Sequence, residues 1–273
     1  MAAPNTFDLV IPLWNEADNL AELVANLDRS GLVGHGLHRA ILVNNGSHDQ
    51  TGALLDELTV DRPWIQAVHL TENQGYGGGI VHGFRQASAP YVAYMPGDNQ
   101  VSCTDLARVW RGVEVLRRRG CDEALFVKGW RYRRLDPHSM RFVSAVYTRL
   151  ANGLLRLGTR DVNALPKCFD RRLVDALPDH PYTTFTLEPL LLVIARRLGF
   201  RLAEVPVTFY ARSRGASSWS GKRLRVYWQT FWQMYALRCF VIRRLPRLFR
   251  LARRTVAIPW CRDSAWLQGL LSQ

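Results

Sequence analysis

Short apolar runs alternate with amphipathic stretches along the first half of the chain. Four runs rich in branched and aromatic side chains are typical of buried strands, at 7–11, 40–44, 65–70 and 91–95. Between them, apolar residues recur at helical spacing; after the first run they are Leu20, Leu23, Val24 and Leu27. Strands that alternate with helices predict a parallel sheet with right-handed crossovers.

The pattern is less regular in the second half. Residues 124–134 predict a strand that ends in basic and aromatic side chains, and helices are predicted at 139–157 and 186–198. Residues 201–207 predict a further strand. Pro206 favours an edge or an end of the sheet for it, because proline cannot donate a ladder hydrogen bond.

These elements predict an α/β fold with a mostly parallel central sheet flanked by helices. We expect this domain to span residues 1–220. Residues 221–273 are expected to form basic, amphipathic and aromatic-rich helices outside it. The first residues lack the basic and apolar pattern of a secretion signal.

Polar side chains follow three of the predicted strands at the point where each strand ends. They are Asn15 and Glu16, Asn44 and Asn45, and Asp98 to Gln100. Ligands of open parallel sheets bind beyond the carboxyl ends of the strands. The sequence therefore predicts a binding site at this end of the sheet.

The turn after the fourth strand carries candidate metal ligands. In Pro96-Gly97-Asp98-Asn99-Gln100, proline and glycine form a tight turn, and a carboxylate and an amide oxygen follow two residues apart. Mg²⁺ and Mn²⁺ favour oxygen ligands and leave further positions to phosphates. Asp98 and Asn99 are also common turn residues without any metal.

Composition excludes a largely disordered or fibrous chain, since 48% of the residues are apolar and 22% charged. The net charge of +13 is concentrated: residues 205–262 contain no acidic residue, and the rest of the chain is balanced. This distribution favours an anionic partner. The five cysteines have no metal-ligand spacing, which suggests reduced thiols in the cytoplasm.

Six segments carry a family resemblance over about 210 residues. They are IPLWNEADNL (11–20), VNNGSHDQT (43–51), ENQGYGGGIVHGFRQASAPYVAYMPGDNQ (72–100), KGWRY (128–132), DVNALPKCFDRRLV (161–174) and LEPLLLVIARRLGFRLAEVPVTFYARSRGASS (187–218). In order, they resemble motifs of the family-2 glycosyltransferases, particularly the dolichyl-phosphate-mannose-synthase-like branch that glycosylates polyprenyl phosphates.

The resemblance implies a GT-A fold and an inverting transfer from a UDP- or GDP-sugar, assisted by Mg²⁺ or Mn²⁺. The implied donor-binding residues are Pro12, Trp14, Asn15, Glu16, Asn44, Asn45, Gln74, Gly75, Gly97, Asp98, Arg212 and Ser217. Asp98 and Gln100 would hold the metal. The implied acceptor-binding residues are Arg131, Ser144 and Lys167.

Three departures from the family pattern concern the donor side. Pro96 stands where the metal motif usually has its first acidic residue, which removes one carboxylate. Asn44 and Asn45 replace an Asp pair that reads the base, and Ser218 replaces a closing lysine. They leave the donor base and the strength of metal binding open.

The acceptor also stays open at this point. A polyprenyl phosphate is already an anion, whereas a soluble hydroxyl acceptor, such as a natural-product intermediate, needs a general base. Glu188 and Asp161 are the candidates for that catalytic role, beside Asp98. A different class of protein, a noncatalytic basic adaptor that binds nucleotides or membranes, is the remaining alternative.

The C-terminal basic segment favours a peripheral position on the inner face of the plasma membrane. Residues 226–254 begin with aromatic side chains and end with arginines, as in interfacial helices on anionic lipid. A helix packed on the catalytic domain and a homo-oligomer contact are the alternatives. We do not expect nucleic-acid binding, because no nucleic-acid motif accompanies the charge.

Overall fold

The computed structural model describes residues 5–177, 186–211 and 232–239 of the chain. The strands are β1 (Phe7–Leu13), β2 (Leu37–Asn45), β3 (Ile65–Leu70), β4 (Tyr91–Tyr94), β5 (Leu125–Arg134), β6 (Lys167–Asp170) and β7 (Arg201–Phe209). The helices are α1 (Ala17–Arg29), α2 (Thr51–Thr59), α3 (Gly75–Gln86), α4 (Cys103–Arg118), α5 (His138–Leu155), α6 (Arg172–Asp175) and α7 (Leu187–Arg197). Residues 232–239 form a further helical segment.

The strands form one sheet in the order β3-β2-β1-β4-β6-β5-β7. β6 runs antiparallel to both of its neighbours, and the other strand pairs are parallel. The predicted mostly parallel α/β sheet is thus confirmed. β7 lies at one edge beside β5, as Pro206 indicated.

Two apolar cores cover the two faces of the sheet. On one face α1, α2 and α4 pack against side chains such as Leu9 and Ile11 of β1. On the other face α3, α5, α7 and the segment 232–239 pack against alternate residues, among them Val10. Because successive strand residues point to opposite faces, both faces of each central strand are apolar, as expected for a covered parallel sheet.

The sequence patterns did not identify α4 or β6. α4 carries a recognisable start signal, since the Ser102 side chain accepts a hydrogen bond from the Asp105 backbone N–H at 3.1 Å. β6 is only four residues long and begins with a lysine, so its pattern is too short and too polar to indicate a strand.

The structure describes only 232–239 of the predicted C-terminal segment 221–273, so its boundary with the catalytic domain stays a prediction. In the described part of the chain, no helix has both the length and the hydropathy required to traverse a bilayer.

Gly83 of α3 packs directly against the central strands of the sheet. A Cβ atom added there would lie 2.3 Å from Val10 Cγ1 and 3.1 Å from Val43 Cγ2. Valine side chains are short and stiff, so they cannot move aside without displacing the strand. The absence of a side chain at residue 83 therefore sets how closely α3 approaches β1 and β2.

We predict that Gly83→Ala lowers the free energy of unfolding by about 1–3 kcal/mol through overpacking, although alanine favours helices. Gly153→Ala in α5 is the matched control, because a Cβ there would meet nothing within 4 Å. The control should be neutral or stabilising by about 0.5–1 kcal/mol. Denaturant unfolding measures both, and equal effects of the two substitutions would contradict the packing argument.

Candidate active site

The loops after β1 and β2 are joined by side chain to backbone hydrogen bonds. Asn15 has a left-handed backbone (φ 53°), and its Oδ1 accepts from the His48 N–H at 2.9 Å. The Ser47 hydroxyl accepts from the Asn15 N–H at 3.1 Å, and the Thr51 hydroxyl from the Glu16 N–H at 2.9 Å. The two predicted donor loops therefore form one rigid wall at the carboxyl end of the sheet.

Asn44 is buried at the end of β2, and its side chain contacts the following loop and the adjacent strand β3. Its Oδ1 accepts from the Ser47 N–H at 3.1 Å, and its Nδ2 lies 3.2 Å from His69 Nδ1. The other ring nitrogen of His69 lies 3.0 Å from Asp56 Oδ1. His69, a residue that the sequence patterns did not single out, therefore extends the polar wall to the end of β3.

Asn45 holds the loop that begins the glycine-rich helix α3. Its Oδ1 accepts from the Gln74 N–H at 3.0 Å, and its Nδ2 donates to the Gly75 carbonyl at 3.0 Å and to Asn73 Oδ1 at 3.2 Å. Asn45 is 4% exposed. Its side chain thus shapes this loop from below, while Gln74 lies on the exposed surface.

The turn after β4 approaches the end of β1 at Gly97. A Cβ atom at this position would lie 2.5 Å from Leu13 Cδ2 and 3.3 Å from the Pro12 carbonyl oxygen. Any side chain would push the turn outward. Glycine therefore brings the following residue, Asp98, next to the loop that carries Trp14, whose ring is 43% exposed.

The same turn fixes the two predicted metal ligands. Asp98 Oδ1 accepts from the Gln100 N–H at 3.1 Å, and Gln100 Nε2 donates to the Tyr210 carbonyl at 3.1 Å. Asn99 between them has a left-handed backbone (φ 57°), and its Nδ2 donates to the Asn19 carbonyl at 3.1 Å. The turn is thus anchored on both sides, to α1 and to the end of β7.

The donor atoms at this turn fit a hard divalent cation that has few protein ligands. Asp98 supplies carboxylate oxygens, and Gln100, whose Nε2 is engaged, would bind a cation through Oε1. Within the described ranges, no three His, Cys, Asp or Glu residues cluster as a metal site. The set therefore suits Mg²⁺ or Mn²⁺ with phosphate oxygens and water in the other positions.

A row of polar side chains crosses the sheet near its carboxyl end. Strand pairing aligns Tyr94 with Lys167, Lys167 with Lys128, and Lys128 with Glu204. The neighbouring row on the same face is apolar and comprises Val92, Phe169, Phe126 and Leu202. The sheet face therefore changes from apolar to charged within one step along the strands.

Glu188 of α7 neutralises the first lysine of this row. Glu188 is 1% exposed and forms an ion pair with Lys167, which is 0% exposed. The Tyr76 and Tyr94 hydroxyls each donate to one of its carboxylate oxygens at 2.7 Å. Burial raises the pKa of both tyrosines, so both hydroxyls remain protonated donors.

Lys128 is neutralised from the opposite side. Its Nζ lies 3.4 Å from Glu204 Oε1 and donates to the Gly129 carbonyl at 2.8 Å and to the Asp161 carbonyl. The Thr159 hydroxyl also donates a hydrogen bond to Glu204. Each buried lysine thus has its own carboxylate, as the high cost of burying an unpaired charge requires.

Arg131 of β5 is held in a bidentate pair with Asp161. Its Nε and Nη2 donate to the two carboxylate oxygens at 2.6 and 2.8 Å, and Nη2 also donates to the Ser144 hydroxyl at 2.5 Å. Burial would raise the pKa of Asp161, but the hydrogen bonds and charge of Arg131 outweigh it and lower the pKa to about 2. Asp161 is therefore a permanent anion that orients Arg131.

The end of β7 joins the two halves of the site. Gln100 Nε2, in the predicted metal turn, donates to the Tyr210 carbonyl at 3.1 Å. The guanidinium of Arg131, the predicted acceptor arginine, lies 5.2 Å from the ring centroid of the preceding residue, Phe209. The turn that carries Asp98 and the predicted acceptor arginine therefore contact consecutive residues of the chain.

The structure brings most of the predicted site residues together at the carboxyl end of the sheet. Glu188 and Lys167 differ from the rest, because they are paired with each other in the core beneath it. Arg212 and Ser217 lie outside the described residues.

The patterns missed Tyr76, Tyr94, Lys128 and Glu204 as members of the buried polar network. Lys128 gave a usable signal, since a lone lysine in an otherwise apolar strand must find a buried acidic partner.

The sequence profile described as Glycosyl transferase family 2 matches residues 8–176. The chain is 28% identical over 235 residues to polyprenol monophosphomannose synthase of Mycolicibacterium smegmatis, covering 80% of this chain and 82% of that protein. It is 27% identical over 219 residues to undecaprenyl-phosphate 4-deoxy-4-formamido-L-arabinose transferase of Pseudomonas fluorescens, covering 79% of this chain but only 61% of that protein.

Solved structures agree with the fold. Glucosyl-3-phosphoglycerate synthase from Mycobacterium tuberculosis, in complex with Mn²⁺, UDP and phosphoglyceric acid, superposes with a TM-score of 0.63 over 86% of this chain and 78% of that chain. The sequence identity is 19%, so this similarity establishes the GT-A architecture alone.

We predict that Glu188→Gln lowers the free energy of unfolding by about 3–5 kcal/mol, because it leaves Lys167 buried and unpaired. Glutamine has only one acceptor oxygen, so it keeps the hydrogen bond from one tyrosine and loses the other together with the charge. Adding Lys167→Met should recover much of it. Denaturant unfolding of the single and double variants tests this, and additive losses would mean that the ion pair contributes nothing.

Proposed function

The chain belongs to glycosyl transferase family 2 and is a glycosyltransferase, and we propose that it transfers a sugar from a UDP- or GDP-linked donor to a polyprenyl phosphate. The observation that carries the proposal is that the metal turn and Arg131 both contact the end of β7: Gln100 Nε2 donates to the Tyr210 carbonyl at 3.1 Å, and the Arg131 guanidinium lies 5.2 Å from the centroid of the Phe209 ring. A donor diphosphate held at Asp98 and an acceptor phosphate held at Arg131 would then be adjacent.

On the donor side, the joined loops after β1 and β2 would hold the nucleotide. Trp14 offers an exposed ring on which the base could stack. The side chains of Asn44 and Asn45 hold the loops around the pocket through hydrogen bonds to backbone N–H groups. Neither asparagine carries a charge, so this part of the pocket would present neutral groups to the nucleotide. We propose Arg212 and Ser217 as further contacts to the diphosphate, which guanidinium matches bidentately.

Asp98 and Gln100 would hold Mg²⁺ or Mn²⁺ at this pocket. A cation held there would supply positive charge opposite the negative charge that develops on the departing nucleoside diphosphate. Only one carboxylate is available at the turn, because Pro96 replaces an acidic residue of the family motif. The protein ligands alone would bind the ion weakly, and we infer that ion and donor bind together.

On the acceptor side, Arg131 would bind the lipid phosphate. The bidentate pair with Asp161 fixes the plane of the guanidinium, and Nη2 donates both to Asp161 and to the Ser144 hydroxyl. A phosphate oxygen would attack the anomeric carbon while the bond from that carbon to the donor diphosphate breaks. The nucleoside diphosphate leaves with the bonding electrons, and the configuration at carbon inverts.

The protonation of the carboxylates favours a phosphate acceptor over a hydroxyl. A general base works best with a pKa near the operating pH. The pKa of Asp161 is about 2. Glu188 accepts hydrogen bonds from two tyrosine hydroxyls in the core and also forms an ion pair with Lys167. Both candidate bases are thus engaged, and an acceptor that is already an anion needs neither.

The curated relatives support the same acceptor class. Two of them are named for polyprenol and undecaprenyl-phosphate substrates. A third, dolichol-phosphate mannosyltransferase of Pyrococcus furiosus, is 25% identical over 234 residues. The alignment covers 80% of this chain and 60% of that protein. We propose that a catalytic domain of residues 1–220 works at the cytoplasmic face of a membrane, with residues 221–273 as a basic attachment or self-association segment.

The test incubates the purified chain with radiolabelled UDP- and GDP-sugars, Mg²⁺ or Mn²⁺, and undecaprenyl phosphate in detergent. We expect label to enter the organic phase as a sugar-phosphate-lipid. Label transferred only to soluble hydroxyl compounds would overturn the lipid acceptor. Inertness across all donors and both metals would favour a noncatalytic adaptor.

We predict that Arg131→Lys raises the acceptor KM about tenfold and leaves the donor KM unchanged, because lysine keeps the charge but loses the bidentate geometry. Arg111→Lys is the control, since Arg111 is exposed on α4, on the opposite face of the sheet. Initial rates at varied lipid phosphate measure the effect. A change in donor KM alone would remove Arg131 from the acceptor side.

We predict that Asp98→Ala abolishes the rise in melting temperature that UDP or GDP produces in the presence of Mn²⁺, since bound ligand stabilises the native state. Asp61→Ala is the matched control, because exposed Asp61 precedes β3 at the opposite end of the sheet. Thermal unfolding with and without Mn²⁺ measures this. An unchanged metal-dependent rise in the Asp98 variant would refute the metal assignment.

A further inference from the structure

Helix α5 exposes an apolar stripe on its outer side. Phe142 is 73% exposed, and Val146 and Leu150 follow at spacings of four residues, each more than a third exposed. At 3.6 residues per turn, these three side chains share one face about 80° wide. The opposite side of the helix, with Tyr147 and Ala151, is buried in the second core. We call the outer side the α5 face.

The α5 face lies in a stretch of chain without acidic residues. Between Asp136 and Asp161 the sequence has no Asp or Glu, and it has arginines at 141, 149, 156 and 160. Arg149 lies on the α5 face itself and is exposed, and Arg156 at the end of the helix is exposed as well. An apolar stripe with arginines and no acids is complementary to lipid that carries negative headgroups.

The helical segment 232–239 adds two exposed aromatic rings beside helix α5. It lies beside the C-terminal end of α5, because Arg238 donates to the Leu154 carbonyl. Met234 and Leu237 are buried in the second core. Trp232 and Tyr235 remain exposed, with ring centroids 6.0 Å apart. Exposed tryptophan and tyrosine favour the interface between lipid and water, since one end of each ring is apolar and the other polar.

Helix α5 lies between the α5 face and the active site. At 3.6 residues per turn, Ser144 lies on the side of the helix opposite the α5 face, and its hydroxyl accepts from Arg131 at 2.5 Å. A phosphate bound at Arg131 would therefore be separated from the apolar stripe by this one helix, which is about 10 Å across.

We infer that the α5 face, together with Trp232 and Tyr235, docks on a bilayer surface that carries anionic headgroups. The inference deepens the proposed function, on which it rests for the identity of the acceptor. A second copy of the chain is a poorer occupant, because a symmetric contact would bring two acid-free, arginine-bearing faces together. Anionic lipid satisfies both the apolar stripe and the arginines.

The test measures co-sedimentation of the full chain with vesicles of phosphatidylcholine alone or mixed equally with phosphatidylglycerol. We expect binding to the mixed vesicles and a loss of about tenfold or more in the partition coefficient for Phe142→Asp, which places a charge among acyl chains. Val60→Asp is the matched control, since Val60 is 79% exposed at the end of α2 on the other face of the sheet. The control should bind like the unchanged chain.

A second pair of variants isolates the charge. Arg149→Ala should weaken binding to the mixed vesicles roughly fivefold. The difference from the unchanged chain should become smaller at high salt, because salt screens the attraction between arginine and anionic lipid. Arg111→Ala on α4 should leave binding unchanged. Because residues 221–273 are present in every variant, their basic charge contributes equally to all of them.

Equal vesicle binding by Phe142→Asp and Val60→Asp would overturn the inference. So would a Phe142→Asp variant that changes only the oligomeric state in light scattering, which would assign the face to a second copy. The nucleotide-induced rise in melting temperature should be normal in Phe142→Asp. Vesicle binding without any sugar transfer would contradict the proposed function but not the docking surface. The two failures are therefore distinguishable.

Discussion

Two lysines that face each other inside the sheet determine how the site is built. Lys128 and Lys167 are paired in register on β5 and β6, and both are almost completely buried. Two adjacent buried cations are tolerable only if acidic partners reach them from elsewhere. Glu188 arrives from α7 and Glu204 from β7. The neutralisation of these lysines therefore fixes α7 and β7 against the antiparallel part of the sheet.

The same buried lysines and carboxylates are hydrogen-bonded to residues of the candidate active site. Tyr76 at the start of α3 donates to Glu188, so the glycine-rich segment is tied to the lysine row through one carboxylate. Arg131, three residues beyond Lys128 on β5, is oriented by Asp161, whose carbonyl also accepts from Lys128. The proposed donor and acceptor sides are thus linked through one set of buried charges.

The sequence indicated the strands and the polar residues at their ends because both depend on local patterns. The end of β1 through Asn15 and the turn at Asp98 were identified in this way, and the structure brings them together. The pairing of Glu188 could not be inferred, because its partners Tyr76 and Lys167 lie 112 and 21 positions away and only the sheet topology unites them. Periodicity reports which face of an element is apolar, but the partner of a buried charge is a property of the whole fold.

Charge balance explains why the site needs positive charge from outside the buried network. Three cations, Lys128, Lys167 and Arg131, face three carboxylates in the described structure, so the network itself is close to neutral. A glycosyl transfer between phosphates would bring a diphosphate and a second phosphate to this place. Their mutual repulsion must then be offset by groups beyond the network. A divalent cation at Asp98 would serve the donor, and the arginines of the α5 face would lower the cost of bringing an anionic lipid to Arg131. The rigidity of the neutral network and the basicity of its surroundings are therefore two parts of one electrostatic arrangement.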